Sequence, residues 1–291
     1  MKPAQFEYDD PRTMEEALDL LARHGDDCKV LAGGQSLVPL MNFRLARPAR
    51  LIDINGVDSL SHITRENGSL VIGAMTRHTQ IEHSTEVAQG WPLLTEAIGW
   101  VGHSQIRNRG TIGGSVAHAD PAAELPVAFA ALDATFQLRS KRGTRVLSWK
   151  EFFVSEFTTA LAPDELVSAV QVPAQDPLTG TAFVEYARRH GDFALGGAAV
   201  TVRLSADGRA EHVTIGLLSA GPAPVRAVAA ERKLRGSKLD DPSIRAASED
   251  AIKGLHPTSD IHGSSEYRIA LLQTMTQRAL TIAAQRARSI K

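Results

Sequence analysis

The chain has 291 residues, 43% hydrophobic and 22% charged, with 32 Lys and Arg against 33 Asp and Glu and a formal net charge of -1. These are the proportions of a soluble globular protein long enough for roughly two or three compact units, and without a long basic run they argue against nucleic-acid binding. The single cysteine, Cys28, supports neither an internal disulfide nor an iron-sulfur cluster ligated by this chain alone; with no H-E-x-x-H or C-x-x-C, no metal site is expected and redox chemistry would come from an organic cofactor.

The N-terminal MKPAQFEYDDPRT lacks the apolar core of a signal peptide, and no apolar run approaches the roughly 18 residues that cross a bilayer, so a cytoplasmic location without a membrane span is expected. Thr13-Met-Glu-Glu16 is a capping box, with Met14, Ala17, Leu18, Leu21 and Ala22 on one helical face before Gly25. Cys28 lies in the apolar CKVLA, the setting of a buried small hydrophobe rather than a nucleophile. Lys29 to Ala32 reads as a short strand delivering Gly33 and Gly34. Ser36 then caps a short segment with Pro39 in its first turn, and Leu51 to Ile54 closes a small β-α-β-like lobe. Glu66-Asn-Gly-Ser69, between His62-Ile-Thr and Leu70 to Gly73, is the pattern of a hairpin with an Asn-Gly turn, and a middle domain starts about here. Trp91-Pro92 opens a helix with Leu93, Leu94, Ile98 and Val101 as its apolar set, ending near Gly102.

Beyond Pro126 the composition is helical, and Thr135 to Leu138, Arg145 to Leu147 and Leu166 to Val172 read as strands. Ala174 to Gly180 is a linker by composition. The last third alternates strands Ala182 to Ala187, Ala198 to Leu204 and His212 to Leu218 with later helices near Ala227 to Leu234, from Asp241, and from Ser265 with Leu272, Met275, Ala279 and Ile282 on one side. That order predicts a three-stranded antiparallel sheet with helices on one face.

The stretch with the most chemistry is QIRNRGTIGGSVAHADPAAE, Gln105 to Glu124. Its centre, Thr111-Ile-Gly-Gly-Ser115, has a counterpart in Ala32-Gly-Gly-Gln-Ser36. One Gly-Gly pair is an ordinary turn signal. Two matched runs, each able to expose successive backbone N–H groups, point to a ligand with two phosphates. Neither run is a P-loop or a G-x-G-x-x-G motif, so the ligand belongs to another fold.

These two runs, with LVPLMNFRLARPARLIDIN after the first and Tyr186-ARRHGDFALGGAA further on, resemble the FAD-binding medium subunit of the molybdenum hydroxylases, the family of carbon monoxide dehydrogenase, quinoline oxidoreductase and the flavin domain of xanthine dehydrogenase. The resemblance runs from about Phe6 to the C-terminus. It implies an α+β protein with a vanillyl-alcohol-oxidase-like FAD-binding fold and a C-terminal antiparallel-sheet-plus-helices domain. The corresponding division is an N-terminal FAD-binding lobe 1–56, a middle FAD-binding lobe 57–175 and a C-terminal domain 176–291.

By the same resemblance, Ala32, Gly33, Gly34, Gln35, Ser36 and Leu37 hold one phosphate of FAD. Thr111, Ile112, Gly113, Gly114 and Ser115 serve the other phosphate and the ribityl chain, although many relatives carry Asn or Asp where this chain has Ser115. Ala117, His118, Asp120 and Glu124 line the flavin, with Glu124 on the ribityl hydroxyls, while Tyr186 and Asp192, with Phe193, approach the isoalloxazine ring. His118 is either a structural hydrogen bonder or a proton-handling residue, and Arg107 and Arg109 are either a salt-bridged or solvated pair or residues that set the loop or face the pyrophosphate. The implied function is electron transfer in a three-subunit enzyme. A large molybdopterin subunit oxidises the substrate, a small subunit with two iron-sulfur clusters relays electrons, and this FAD passes them on, as a dimer of heterotrimers. The alternatives are a free-standing FAD oxidase of a small organic substrate and a non-redox nucleotide-binding module.

Overall fold

Local signals set the first elements. Thr13 accepts a hydrogen bond from the Glu16 amide at 3.1 Å while the Glu16 carboxylate accepts from the Thr13 amide, so the capping box forms and the helix Met14–His24 buries Met14, Ala17, Leu18 and Leu21. The structure, a computed structural model, describes residues 1–290. Within it the chain forms two compact units, each assembled from discontinuous stretches.

The first unit comprises Met1–Ile81, Ser104–His118 and Ala134–Pro173. It holds a parallel sheet with Arg50–Asp53 in the middle, flanked by Cys28–Leu31 and by Glu7–Asp9, a strand that the sequence pattern does not announce. The Met14–His24 helix covers this sheet, and Cys28 lies in the resulting core with burial pushing its thiol pKa up. A second, five-stranded antiparallel sheet runs in the order Ile63–Glu66, Ser69–Gly73, Leu166–Val172, Thr135–Ser140, Gly143–Ser148. Its first hairpin turns at Asn67 and Gly68, whose φ of 49° and 83° suit the twist of the flanking strands.

The second unit comprises Glu82–His103, Ala119–Asp133 and Ala174–Lys291. Its antiparallel sheet has four strands, Thr179–Tyr186, Gly196–Leu204, Ala210–Leu218 and the short Val225–Arg226, one more than the sequence pattern predicts. The helices Val228–Leu234, Asp241–Ala251 and Ser265–Ser289 cover one face, burying Leu272, Met275 and Ala279 against Ala198, Val200 and Ile215. The helices Pro92–Trp100 and Glu124–Ala131 cover the other, where a Cβ on Gly216 would lie 3.0 Å from Val127.

Helices therefore lie on both faces, not one. The signal is in Gly196–Leu204, where buried residues run almost without alternation, as a strand covered on both sides requires. Residues 82–103 and 119–133 join the second unit because their two helices bury apolar faces on its sheet, whereas the linear division expects them in the middle lobe. Among the described residues no helix is long and apolar enough to cross a membrane.

Candidate cofactor site

In the first unit, Cys28–Leu31 delivers the first Gly-Gly run and the short helix Leu37–Asn42 receives it. Gly34 sits at φ +74°, and Gly33 approaches Arg109 and Gly110 so closely that a Cβ would run into the Arg109 carbonyl. The two Gly-Gly runs therefore abut. The Gly34 carbonyl accepts from the Val38 amide at 3.1 Å and the Ser36 carbonyl from the Leu40 amide at 3.2 Å. The amides of Gly33, Gly34, Gln35 and Ser36 donate to no protein group among the described residues. Ser36 occupies the cap position, but its hydroxyl makes no cap bond, so the cap expected of it does not form. Four successive N–H groups without protein acceptors, at the start of a helix, form an anion-binding row.

The second run behaves differently. It is not a loop but leads into the helix Ile112–His118, and its amides from Ile112 to Ser115 are occupied. Ile112 N donates to Thr76 O at 3.0 Å, Gly113 N to Ala74 O at 2.8 Å, and Ser115 N to Thr111 O at 3.0 Å. Gly114 N donates to Thr111 Oγ1 at 3.1 Å. Gly113 is a glycine because the helix lies against Ala74, whose Cβ would be 2.5 Å from any Cβ placed there. The run thus turns its amides into scaffold and retains the half-buried Ser115 hydroxyl as a side-chain donor. Further along, Ala117 is exposed and the half-buried His118 packs against Phe157 with ring centroids 5.1 Å apart and the rings tilted by 42°.

A polar brace that sequence reasoning missed fixes the two runs against each other. Asn55 Nδ2 donates to Ala32 O at 2.9 Å, Arg77 Nη2 donates to Asn55 Oδ1 at 2.6 Å, and Arg77 Nη1 donates to Arg109 O. Asp53 anchors the brace by accepting from Asn55 N at 2.9 Å and from the Tyr8 hydroxyl at 2.6 Å. Burial raises the Asp53 pKa, but these hydrogen bonds outweigh it and hold the carboxyl below its usual range. Burial and the Arg109 charge pull the Arg77 pKa down. The available signal was Asp53-x-Asn55 directly after a strand, two short polar side chains suited to fixing a turn. Of the arginines flanking the second run, Arg107 ends the short helix Ser104–Arg107, and Arg109 is exposed, taking part in the brace through its carbonyl.

In the second unit, the remaining candidates gather at one end of the four-stranded sheet. Asp120 Oδ1 accepts from Ala122 N at 2.8 Å and Asp120 O from Ala123 N at 3.0 Å, a tight turn that feeds Glu124 into the first position of its helix. Ser219 ties this turn to the loop after Tyr186, its amide donating to Pro121 O at 3.1 Å and its hydroxyl to Ala194 O at 2.8 Å. Leu195 N closes that loop on Tyr186 O at 2.8 Å. Tyr186, 42% exposed, ends its strand, where its hydroxyl pushes the Tyr267 pKa up, while Asp192 and Phe193 stand exposed in the loop. Glu124 is only 8% exposed, and burial, with the Asp120 charge, pushes its pKa up to about 7. Beside it lies an acid that sequence reasoning passed over: Glu185, 6% exposed, pushed up to about 9 by burial and then by Glu124.

Residues 4–175 match the FAD binding domain in molybdopterin dehydrogenase, and residues 181–283 match the CO dehydrogenase flavoprotein C-terminal domain. Together they define the class, a mixed helix-and-sheet flavoprotein with an FAD-binding domain followed by a C-terminal domain. Over 291 residues the chain is 47% identical to the 6-hydroxypseudooxynicotine dehydrogenase complex subunit alpha of Paenarthrobacter nicotinovorans, covering 100% of this chain and 98% of that one. Its structure superposes on a chain of carbon monoxide dehydrogenase from Hydrogenophaga pseudoflava with a TM-score of 0.96 and 39% identity, covering 98% and 99% of the two chains. A chain of quinoline 2-oxidoreductase from Pseudomonas putida 86 gives 0.95 and 38%, covering 99% of each. The chain belongs to the family of FAD-binding medium subunits of molybdenum hydroxylases and is an oxidoreductase subunit.

Proposed function

We propose that this chain binds FAD as the electron-transferring subunit of a heterotrimeric molybdenum hydroxylase, receiving electrons from iron-sulfur clusters in a small partner and passing them to a terminal acceptor, while a large molybdopterin subunit oxidises the organic substrate. The observation that carries the reading is the row of four amides, Gly33 to Ser36, without protein acceptors. Hydrogen bonds to a charged group contribute roughly 1.5–3 kcal/mol each, so this row suits a pyrophosphate oxygen without help from a cation.

Ala32 and Leu37 flank that row and fix its ends. The second run contributes chiefly shape: Ile112 and Gly113 hold the helix against Thr76 and Ala74, the Thr111 hydroxyl receives the Gly114 amide and so sets the edge that faces the remaining phosphate, and Ser115 presents its hydroxyl to the phosphate and ribityl positions. Ala117 and His118 continue that edge. Asp120 and Glu124 take the ribityl hydroxyls, with Tyr186 and Asp192 on the ring side. FAD, when bound, supplies one- and two-electron redox chemistry that these side chains lack. The relatives' names as subunit alpha and medium chain support large and small partner subunits. The reading is completed by a dimer of heterotrimers located in the cytoplasm. Within this reading the stretches 1–56 and 57–175 serve FAD and 176–291 forms the C-terminal domain.

The test is extraction of the bound flavin followed by chromatography, together with substrate added to the isolated chain and to the intact complex. FAD, and bleaching of the flavin only in the complex, is expected. FMN alone would remove the pyrophosphate argument, and rapid bleaching of the isolated chain by an organic substrate would replace electron relay with a free-standing oxidase.

A further inference from the structure

Among the buried polar groups of the second unit, Glu185 stands apart. Its strand neighbours on the same face are served: Thr181 Oγ1 donates to Glu96 Oε1 at 3.3 Å, and on the adjoining strands Thr201 and Thr214 hydroxyls meet at 2.8 Å. Both carboxyl oxygens of Glu185 are fully buried, and neither has a hydrogen-bond partner among the described residues. The residue opposite it in the sheet is Gly197, which has no side chain to offer. No cation bears on it, and the one charge that does is the Glu124 carboxylate.

A buried carboxyl in that setting is costly to ionise, so it rests as the neutral acid, whose O–H is a donor awaiting an acceptor. For stability alone a leucine would serve better. Its position is informative too. Glu185 immediately precedes Tyr186 at the sheet end where Asp120, Glu124 and Asp192 gather. Two acids whose environments separate their protonation states make an acceptor and donor side by side, the complement of a hydroxyl that both donates and accepts. A phosphate would be repelled by Glu124, and a cation would find no ligand cluster among the described residues.

We propose that Glu185 is a further cofactor-binding residue, its carboxylic acid O–H donating to a hydroxyl of the flavin's polyol chain while the neighbouring Glu124 accepts from one. This rests on the FAD reading above. It is tested on the full chain with Glu185→Leu and Glu185→Gln, measuring FAD affinity, thermal unfolding without FAD, and the infrared carbonyl band of a protonated carboxyl as FAD is added.

Glu185→Leu should weaken FAD binding roughly tenfold or more, with unfolding of the FAD-free chain unchanged or shifted to higher temperature. Glu185→Gln, which keeps a neutral donor, should stay within about threefold of wild type. The Glu185 contribution to the carbonyl band should shift on adding FAD to wild type and be missing from both variants, in which the Glu124 contribution alone is left. Wild-type affinity in Glu185→Leu, or a band that FAD does not move, overturns the assignment. If Glu185→Leu fails to fold, the Glu185→Gln affinity and the wild-type band decide. A wild-type chain that binds no FAD would instead overturn the reading beneath it.

Discussion

Replacing Arg77 by methionine removes the centre of the brace while keeping most of the aliphatic stem. In the structure Arg77 Nη2 donates to Asn55 Oδ1 at 2.6 Å and Nη1 to Arg109 O, while Asn55 passes the restraint to Ala32 O at 2.9 Å. Each charge-assisted bond is worth roughly 1.5–3 kcal/mol, so the two together set a ceiling of about 3–6 kcal/mol. Arg77 is half-buried, and its burial, felt as a lowered guanidinium pKa, offsets part of that. Water reaching the freed acceptors offsets more. A net loss near 1.5 kcal/mol remains, about tenfold in an equilibrium constant.

Because the brace fixes the carbonyl just before the amide row, the loss should fall on FAD affinity. The dissociation constant of Arg77→Met, measured by flavin fluorescence on titrating FAD-free chain, should rise about tenfold or more. Melting of the FAD-free chain should fall by only about 2–5 °C. Arg77→Lys should lie between, since an ammonium cannot reproduce the planar fork that spans both acceptors. Should Arg77→Met melt lower yet bind FAD as wild type does, the brace would be structural only and its link to the cradle refuted.

Stability should also depend on pH through the buried acids of the second unit. The pKa values of Glu185 and Glu124 are raised from the ordinary 4.5 to about 9 and about 7, first by burial, so between those limits the folded chain binds more protons than the unfolded one. Their contribution is fully present below pH 4.5 and is lost as pH rises through the folded values, at up to about 1.4 kcal/mol per unit for each group. Urea midpoints of the FAD-free chain should fall between about pH 7 and 9, and Glu185→Gln should flatten that fall; an equal slope in both proteins would contradict it. Arg226→Met is the contrasting case. Arg226 is bidentate to Glu231 at 2.6 and 3.0 Å and also donates to Ala130 O at 2.8 Å, so its loss should destabilise the chain by about 3–5 kcal/mol. Flavin content of the folded fraction should be unchanged, and flavin loss without destabilisation would be the contrary result.

What the sequence determined by itself is the chemistry that acts over a few residues. Thr13 and Glu16 are three apart and cap one helix; Asn67-Gly68 tolerates the positive φ that a tight hairpin needs; both Gly-Gly runs are visible as places where backbone must be approached closely. Those runs, read in order with the Tyr186 segment, also pointed to the FAD-binding family. Only the tertiary structure decided which run keeps its amides for a ligand, because the acceptors that occupy the second run, Ala74 and Thr76, lie some distance back along the chain and carry no sequence signal. Placement of the Pro92–Trp100 and Glu124–Ala131 helices on the far face of the C-terminal sheet was likewise hidden, since an apolar helix face does not name the sheet that will cover it. The state of Glu185 was the least legible of all. A glutamate between a valine and a tyrosine in a strand reads as solvent-facing until the sheet, Gly197 and the Glu124 helix close around it, and burial without a partner is a property of that enclosure rather than of the residue.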